Sequence, residues 1–276
     1  MGYKLLALDV DGTLVRRDGS IHPEDEAAVD RLVASGVPVT IVTGRLYSGT
    51  QHVARSLRLG GPIACVDGSQ IVDLRDDAPL YYRSIAGDDA AVLRDVLVRH
   101  GATTFLFVED TIVHDAAGEP YAGYVRTWSS RVDVVDRVAD HAFWAHERGV
   151  VAVVALGAEA EILAAVAEIQ ALLGHAATVV AFPVARVAKY ALMARAAGPT
   201  KGTAVEWLAR HHGCAVADVV AVGDWINDVP MFRVAGRSFV MNQAPAAVKA
   251  CATDELAADV SEGGGIAEAI RRAWGI

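Results

Sequence analysis

The chain has 276 residues, 53% hydrophobic and 21% charged, with a net charge of −9. That is apolar material for one large domain or two modest ones. The acidic balance, with no compensating basic stripe, argues against a nucleic-acid or anionic-membrane partner. Three widely spaced cysteines, Cys65, Cys214 and Cys251, form no C-x-x-C pair, which fits free thiols in a reducing compartment. The opening Met-Gly-Tyr-Lys leads straight into a strand pattern and no run of 18 apolar residues follows. The expectation is a cytoplasmic protein without a membrane span.

The first element is a strand, Leu5 to Leu8, running into the stretch LALDVDGTLV of residues 6–15. It ends in two aspartates, Asp9 and Asp11, followed by Gly12-Thr13. At about 4 Å two such charges repel by roughly 4 kcal/mol at a surface-like dielectric, so something must compensate. A helix over Pro23 to Ser35 follows, with proline in its first turn, acidic residues early and Gly36 as a stop. A second strand, Val37 to Val42, ends at Thr43-Gly44-Arg45, and a third, Ile63 to Val66, ends at Asp67-Gly68.

From Ser84 the pattern changes. A helix over Asp88 to His100, a hairpin in TTFLFVEDTIVHD turning at Glu109-Asp110, the strand VVAVVAL, a helix over Glu159 to Leu173 and the strand ATVVAFPV follow in turn. The alternation then resumes: a helix over Lys201 to His212, strands at Val219 to Val222 and Phe239 to Met241, and a closing helix over Gly265 to Trp274. Continuous apolar strands alternating with helices predict an α/β fold, a doubly wound Rossmann-like parallel sheet. Its core comprises residues 1–83 and 191–276, interrupted by an inserted α+β domain over 84–190. Ligands of such sheets bind beyond the carboxyl ends of the strands, where Asp9, Asp11, Thr43, Arg45, Asp224 and Asp228 would converge.

The chemistry follows from residue type. In Asp9-Val10-Asp11-Gly12-Thr13, one carboxylate can attack phosphorus while its neighbour passes protons to and from the leaving group or water. Gly223-Asp224-Trp225-Ile226-Asn227-Asp228 adds two carboxylates and an amide past a buried strand. Hard oxygen donors without nearby His or Cys suit Mg²⁺. Thr43-Gly44 offers a hydroxyl and backbone N–H groups for a phosphate, although Thr-Gly is also an ordinary turn. Lys201 opens a helix, where the dipole disfavours a cation, and a ligand would explain it. Trp225 reads as a packing residue, and His211-His212 as a helix C-terminal cap.

In order and spacing these four motifs resemble the haloacid dehalogenase-like phosphatases, and the large insertion resembles the Cof-type branch with its α/β cap. The resemblance implies that Asp9 is the nucleophile forming an aspartyl-phosphate and Asp11 the general acid/base. Asp9, Asp11, Asp224 and Asp228 would serve the Mg²⁺ site. Thr43, Gly44 and Lys201 would hold the phosphoryl oxygens, with Asn227 and Asp228 orienting Lys201 and the metal's waters. Asp67-Gly68-Ser69 departs from the branch's usual Asn-Gly-Ala. The extra carboxylate could repel a second phosphate, bind sugar hydroxyls, or be a neutral exchange at a turn, and the last is preferred. The substrate implied is a small phosphorylated metabolite such as a sugar phosphate. The alternatives are a phosphomutase, for which Arg186 and Lys189 are the only nearby cationic pair, and a non-catalytic phospho-ligand-binding protein. Oligomeric state is left open.

Overall fold

A computed structural model describes residues 2–184 and 187–276. The chain divides into two compact units. The first comprises residues up to Gly44, then Gln51–Tyr81 and Pro199–Ile276; the second comprises Arg45–Thr50 and Tyr82–Gly198.

In chain order the first unit opens with β1 (Leu5–Leu8), α1 (Pro23–Ala34) and β2 (Val39–Ile41), continues through α2 (Gln51–Ser56), and adds β3 (Pro62–Cys65) and β4 (Gln70–Asp73), with β5 (Pro79–Tyr82) at its boundary. The helix α1 begins at Pro23 because proline loses nothing at a position whose N–H has no partner. His22 caps it, and Glu24, Asp25 and Glu26 fill its first turn. Strand β2 starts two residues later than the apolar run suggests, after Pro38. β3 was expected in the parallel sheet. It forms instead a three-stranded sheet of order β3-β4-β5, antiparallel to β4, meeting the parallel sheet at the bridge Val42–Ala64 and through the Thr40 hydroxyl, which donates to the Pro62 carbonyl.

The second unit carries α3 (Gly87–Arg99), β6 (Thr103–Val108), β7 (Thr111–His114), α4 (Ala122–Val125), β8 (Val132–Val134), β9 (Ala152–Gly157), α5 (Glu159–Leu173), β10 (Ala177–Val184) and β11 (Lys189–Ala196). Its six-stranded sheet has the order β10-β11-β9-β6-β7-β8, antiparallel except for the parallel β7–β8 pair. Leu93, Val96 and Leu97 of α3 and Ile162, Ala165 and Ile169 of α5 pack with Leu106, Val153 and Leu192 into its core. This unit runs on to Gly198 because β11 pairs along its length with β10 and β9. Residues 45–50 join it: the Leu46 N–H donates to the Trp128 carbonyl, and the Ser48 N–H to the Asp110 carboxylate.

The chain returns to the first unit with α6 (Lys201–His211), β12 (Val219–Gly223), α7 (Val229–Val234), β13 (Arg237–Val240), α8 (Ala246–Lys249), β14 (Asp254–Glu255) and α9 (Gly265–Trp274). Strands β14-β13-β12-β1-β2 form a five-stranded sheet, parallel throughout. Helices α1 and α9 pack together, as do α6 and α7. Buried Asp25 fastens the first pair by accepting the Gly264 and Ala267 N–H groups at the start of α9. The fold class is α/β, with a parallel core sheet and additional sheets. The strand order reverses between β1 and β12, and beyond the carboxyl ends of that pair a ligand crevice belongs. Among the described residues no helix is long and apolar enough to cross a membrane.

Candidate active site

Asp9 follows β1, and its N–H donates to the Val222 carbonyl of β12 at 3.0 Å. Asp224 follows β12. Adjacent parallel strands thus deliver two carboxylates to one point. Asp9, Asp224 and Asp228 each offer an oxygen within 4.8 Å of the others, and all three are buried. Lys201, 1% exposed, threads into this group from the first turn of α6. Its Nζ donates to Asp9 Oδ1 and to Asp228 Oδ1, each at 2.6 Å. The helix dipole disfavours a cation there, and two carboxylates more than offset that cost.

Two glycines make this closeness possible. Gly12 has φ +80°, and a Cβ on it would stand 2.2 Å from Asp224 Oδ2. A Cβ on Gly223 would meet the Asp228 carboxyl at 2.5 Å. Asp228 is committed at both oxygens, because its Oδ2 accepts the N–H groups of Asp224 and Trp225 at 2.8 and 2.9 Å. Gln243 Nε2 donates to the Gly12 carbonyl at 2.5 Å and to Asp224 Oδ2 at 3.3 Å. The Thr13 hydroxyl reaches Asp224 Oδ1 at 3.5 Å.

Burial pushes the Asp9 carboxyl well above its ordinary value; Lys201 pulls against this, and Asp228 and Asp224 add to the rise. Burial likewise drives Asp224 up to about 7, with Asp228 pushing the same way. Burial works against the charge on Lys201, but Asp228, Asp9 and Asp67 outweigh it and hold the ammonium above its ordinary range. Three buried carboxylates around one ammonium leave an excess of negative charge. The donor set is all oxygen, and a hard divalent cation fits it. Asp9 and Asp224 are the carboxylates suited to direct ligation, since Asp228 is engaged by Lys201 and the loop backbone.

The other expected residues fall into two groups. Thr43 is buried, its N–H donating to the Ala64 carbonyl and its carbonyl accepting the Asp67 N–H, each at 2.9 Å. Gly44 lies against Asp67 and Asn227, and Asn227 Nδ2 donates to Asp67 Oδ1 at 2.9 Å. Asp11 stands apart. Its side chain is exposed and is not one of the three carboxylates that come together. Arg45 belongs to the second unit, where it is buried and donates to the Gly49 carbonyl. Trp225 is not a packing residue: it is 55% exposed and Ile226 61%, because the loop backbone, not the indole, is held by Asp228. Arg186 lies outside the described residues, and Lys189 is half-buried at the start of β11. The sequence reading missed Thr13 and Gln243 and discounted Asp67. Gln243 was visible only as part of the string Met241-Asn242-Gln243-Ala244-Pro245.

A profile of haloacid dehalogenase-like hydrolases matches residues 6–270. The stress response protein YhaX of Bacillus subtilis (strain 168) is 34% identical over 97 residues, which is 35% of this chain and 33% of that protein. An HMP-PP phosphatase of Yersinia pestis (strain Pestoides F) is 25% identical over 253 residues, covering 88% of this chain and 85% of its own. The solved structure of a HAD subclass IIB sugar phosphatase superposes with a TM-score of 0.77 at 20% identity, over 98% of both chains. Matched almost from end to end, the chain belongs to the haloacid dehalogenase-like hydrolase family.

Proposed function

We propose that the protein is a Mg²⁺-dependent phosphomonoesterase acting on a small phosphorylated metabolite through an aspartyl-phosphate at Asp9. One observation carries this reading: at the β1/β12 switch point Asp9 shares Lys201 with Asp228, beside Asp224. A nucleophilic carboxylate, a fixed ammonium for phosphoryl oxygens and a carboxylate cluster suited to a divalent cation are the parts that phosphoryl transfer requires.

In this mechanism an Asp9 carboxylate oxygen attacks phosphorus, the new P–O bond forming as the bond to the leaving oxygen breaks. Asp11 gives its proton to that oxygen. Its exposed side chain suits a group that must exchange protons with the outside. Asp11 then takes a proton from water as the water oxygen attacks phosphorus, and the Asp9 carboxylate is released with inorganic phosphate. Lys201 holds the phosphoryl oxygens, with Thr43 supplying its hydroxyl and Gly44 its backbone N–H, while Asp228 fixes Lys201 and the 224–228 loop. Mg²⁺, held by Asp9 and Asp224, would supply charge neutralisation for the approaching phosphate.

The segment 84–190 is proposed as a cap that selects the leaving group. The names of the relatives make HMP-PP and sugar phosphates the first compounds to try. A panel of phosphorylated metabolites and an aryl phosphate, each with Mg²⁺ and with excess chelator, tests the proposal together with rapid-quench labelling. Phosphate release should need Mg²⁺, and label should be trapped in the wild type and absent from Asp9→Asn. Full turnover in chelator, or label on Asp9→Asn, overturns it.

A further inference from the structure

Val66, Asp67 and Gly68 all take left-handed backbone angles, with φ of 48°, 51° and 95°. For a β-branched valine this is an outlier, and such strain persists only where the surroundings enforce it. The turn delivers one carboxylate. Asp67 is 4% exposed, and its Oδ1 accepts Asn227 Nδ2 at 2.9 Å. Its N–H ties it to the Thr43 carbonyl. A Cβ on Gly44 would lie 3.5 Å from Asp67 Oδ1 and 3.9 Å from Asn227 Nδ2, so the pair sits against the Thr43-Gly44 turn. Gly68 backs onto the start of α6, where a Cβ would meet the Thr200 carbonyl oxygen at 2.7 Å. Asp67 also adds its charge to those of Asp228 and Asp9 around Lys201. The strained turn is thereby locked between the strand end that carries Thr43 and the helix that carries Lys201.

A carboxylate offers only acceptors. It admits Asn227 in one orientation, NH₂ toward Asp67 and Oδ1 turned away. An asparagine at position 67 could donate or accept, and would leave both orientations of the Asn227 amide open. Resting on the phosphoryl-transfer reading of this site, we infer that Asp67 is a positioning residue that holds the Asn227 amide in a single orientation, leaving its Oδ1 as a fixed acceptor for a substrate hydroxyl or ordered water. Asp67 is buried and its Oδ1 already accepts the Asn227 amide, which favours a positioning role over repulsion of a second phosphate or direct binding of a sugar.

The test compares wild type, Asp67→Asn, Asn227→Ala and the double variant in metal-loaded enzyme with a sugar phosphate and with an aryl phosphate, beside thermal unfolding and side-chain amide NMR. Each single change should lower kcat by about 10- to 100-fold, as loss of a group that orients a site residue does, with KM less affected. The double variant should be no slower than the slower single one, since both remove one coupled unit. Asp67→Asn should keep the wild-type unfolding midpoint. In spectra the Asn227 side-chain amide, assigned by its loss in Asn227→Ala, should sit apart from the solvated amides in wild type and move toward them in Asp67→Asn. Losses that multiply in the double variant, or an unmoved Asn227 amide, overturn the inference. If wild type releases no phosphate from any ester, the proposed function fails, and the amide signal still decides whether Asp67 positions Asn227.

Discussion

Asp9 and Asp11 are two residues apart and live in different surroundings. Asp9 is buried against Lys201, whereas Asp11 faces solvent, and the proposed proton transfer by Asp11 makes a testable distinction between them. Asp11→Asn should cost about 10²- to 10⁴-fold when the leaving group is a basic sugar alkoxide. It should cost little in the first step for an aryl phosphate, whose leaving group departs unprotonated; the phosphoenzyme should then accumulate. Rapid-quench labelling reads both, and equal losses for both leaving groups would deny Asp11 this role. A second prediction concerns Gly12. Gly12→Ala drives a Cβ into Asp224 and also strains a φ of +80°, so kcat should fall about 10²-fold through displacement of the carboxylate. Gly19→Ala imposes the same backbone strain, at φ +84°, with open space around it, and should lower stability slightly while sparing kcat. Similar kcat losses in both would mean that backbone strain, not the Asp224 contact, is what matters.

Individual elements were legible where one periodicity dominates. Helix α5 and strand β10 occur where the sequence places them, because an amphipathic stripe and an unbroken apolar run admit no rival there. β3 was misplaced because Pro62–Cys65 is as apolar as a central strand, and composition does not say which neighbour a strand will choose. Residues 45–50 carry no mark of joining the second unit, since hydrogen bonds from Leu46 and Ser48 to residues far along the chain leave no local pattern. The motif residues were legible because their spacing is chemical. Asp67 and Gln243 were not, because they act through partners distant in sequence. Strand β4 supports a prediction at this scale. It ends in Asp73, whose carboxyl is hydrogen-bonded by Arg75 and held down to about 2. A folded-state value below the ordinary carboxylate value of about 3.9 stabilises the fold above that pH, and the contribution is lost as pH falls toward 2. Urea midpoints of wild type and Asp73→Asn should therefore differ at pH 7, draw together below about pH 4 and converge only as pH falls through about 2. The gap should be modest, because Arg75 is 67% exposed. A gap that stays constant with pH would remove the ion pair from the account.

For the whole molecule, the division into two units gives a further expectation. A chain in which 82–198 are replaced by a short flexible bridge should keep the parallel sheet and hydrolyse an aryl phosphate slowly, without discriminating among metabolites. Residues 45–50 would lose their partners at Trp128, Asp110 and Ser129 and should be cut first by protease. Circular dichroism, phosphate release and limited proteolysis check this. A shortened chain that folds and binds metal but hydrolyses nothing would mean that the inserted unit supplies a reacting group. The pairing of β1 with β12, which sets Leu5 beside Val219, also orders events during synthesis. Asp9 is made long before Val219, so the central strand waits for its second neighbour until β12 has been made. Lys201 emerges ahead of Asp224 and Asp228, so the cation is always made before the two acids that crowd it. A nascent chain halted short of Gly223 holds Asp9 and Lys201 without the acidic loop, so the three-carboxylate cluster forms only once that loop has been made.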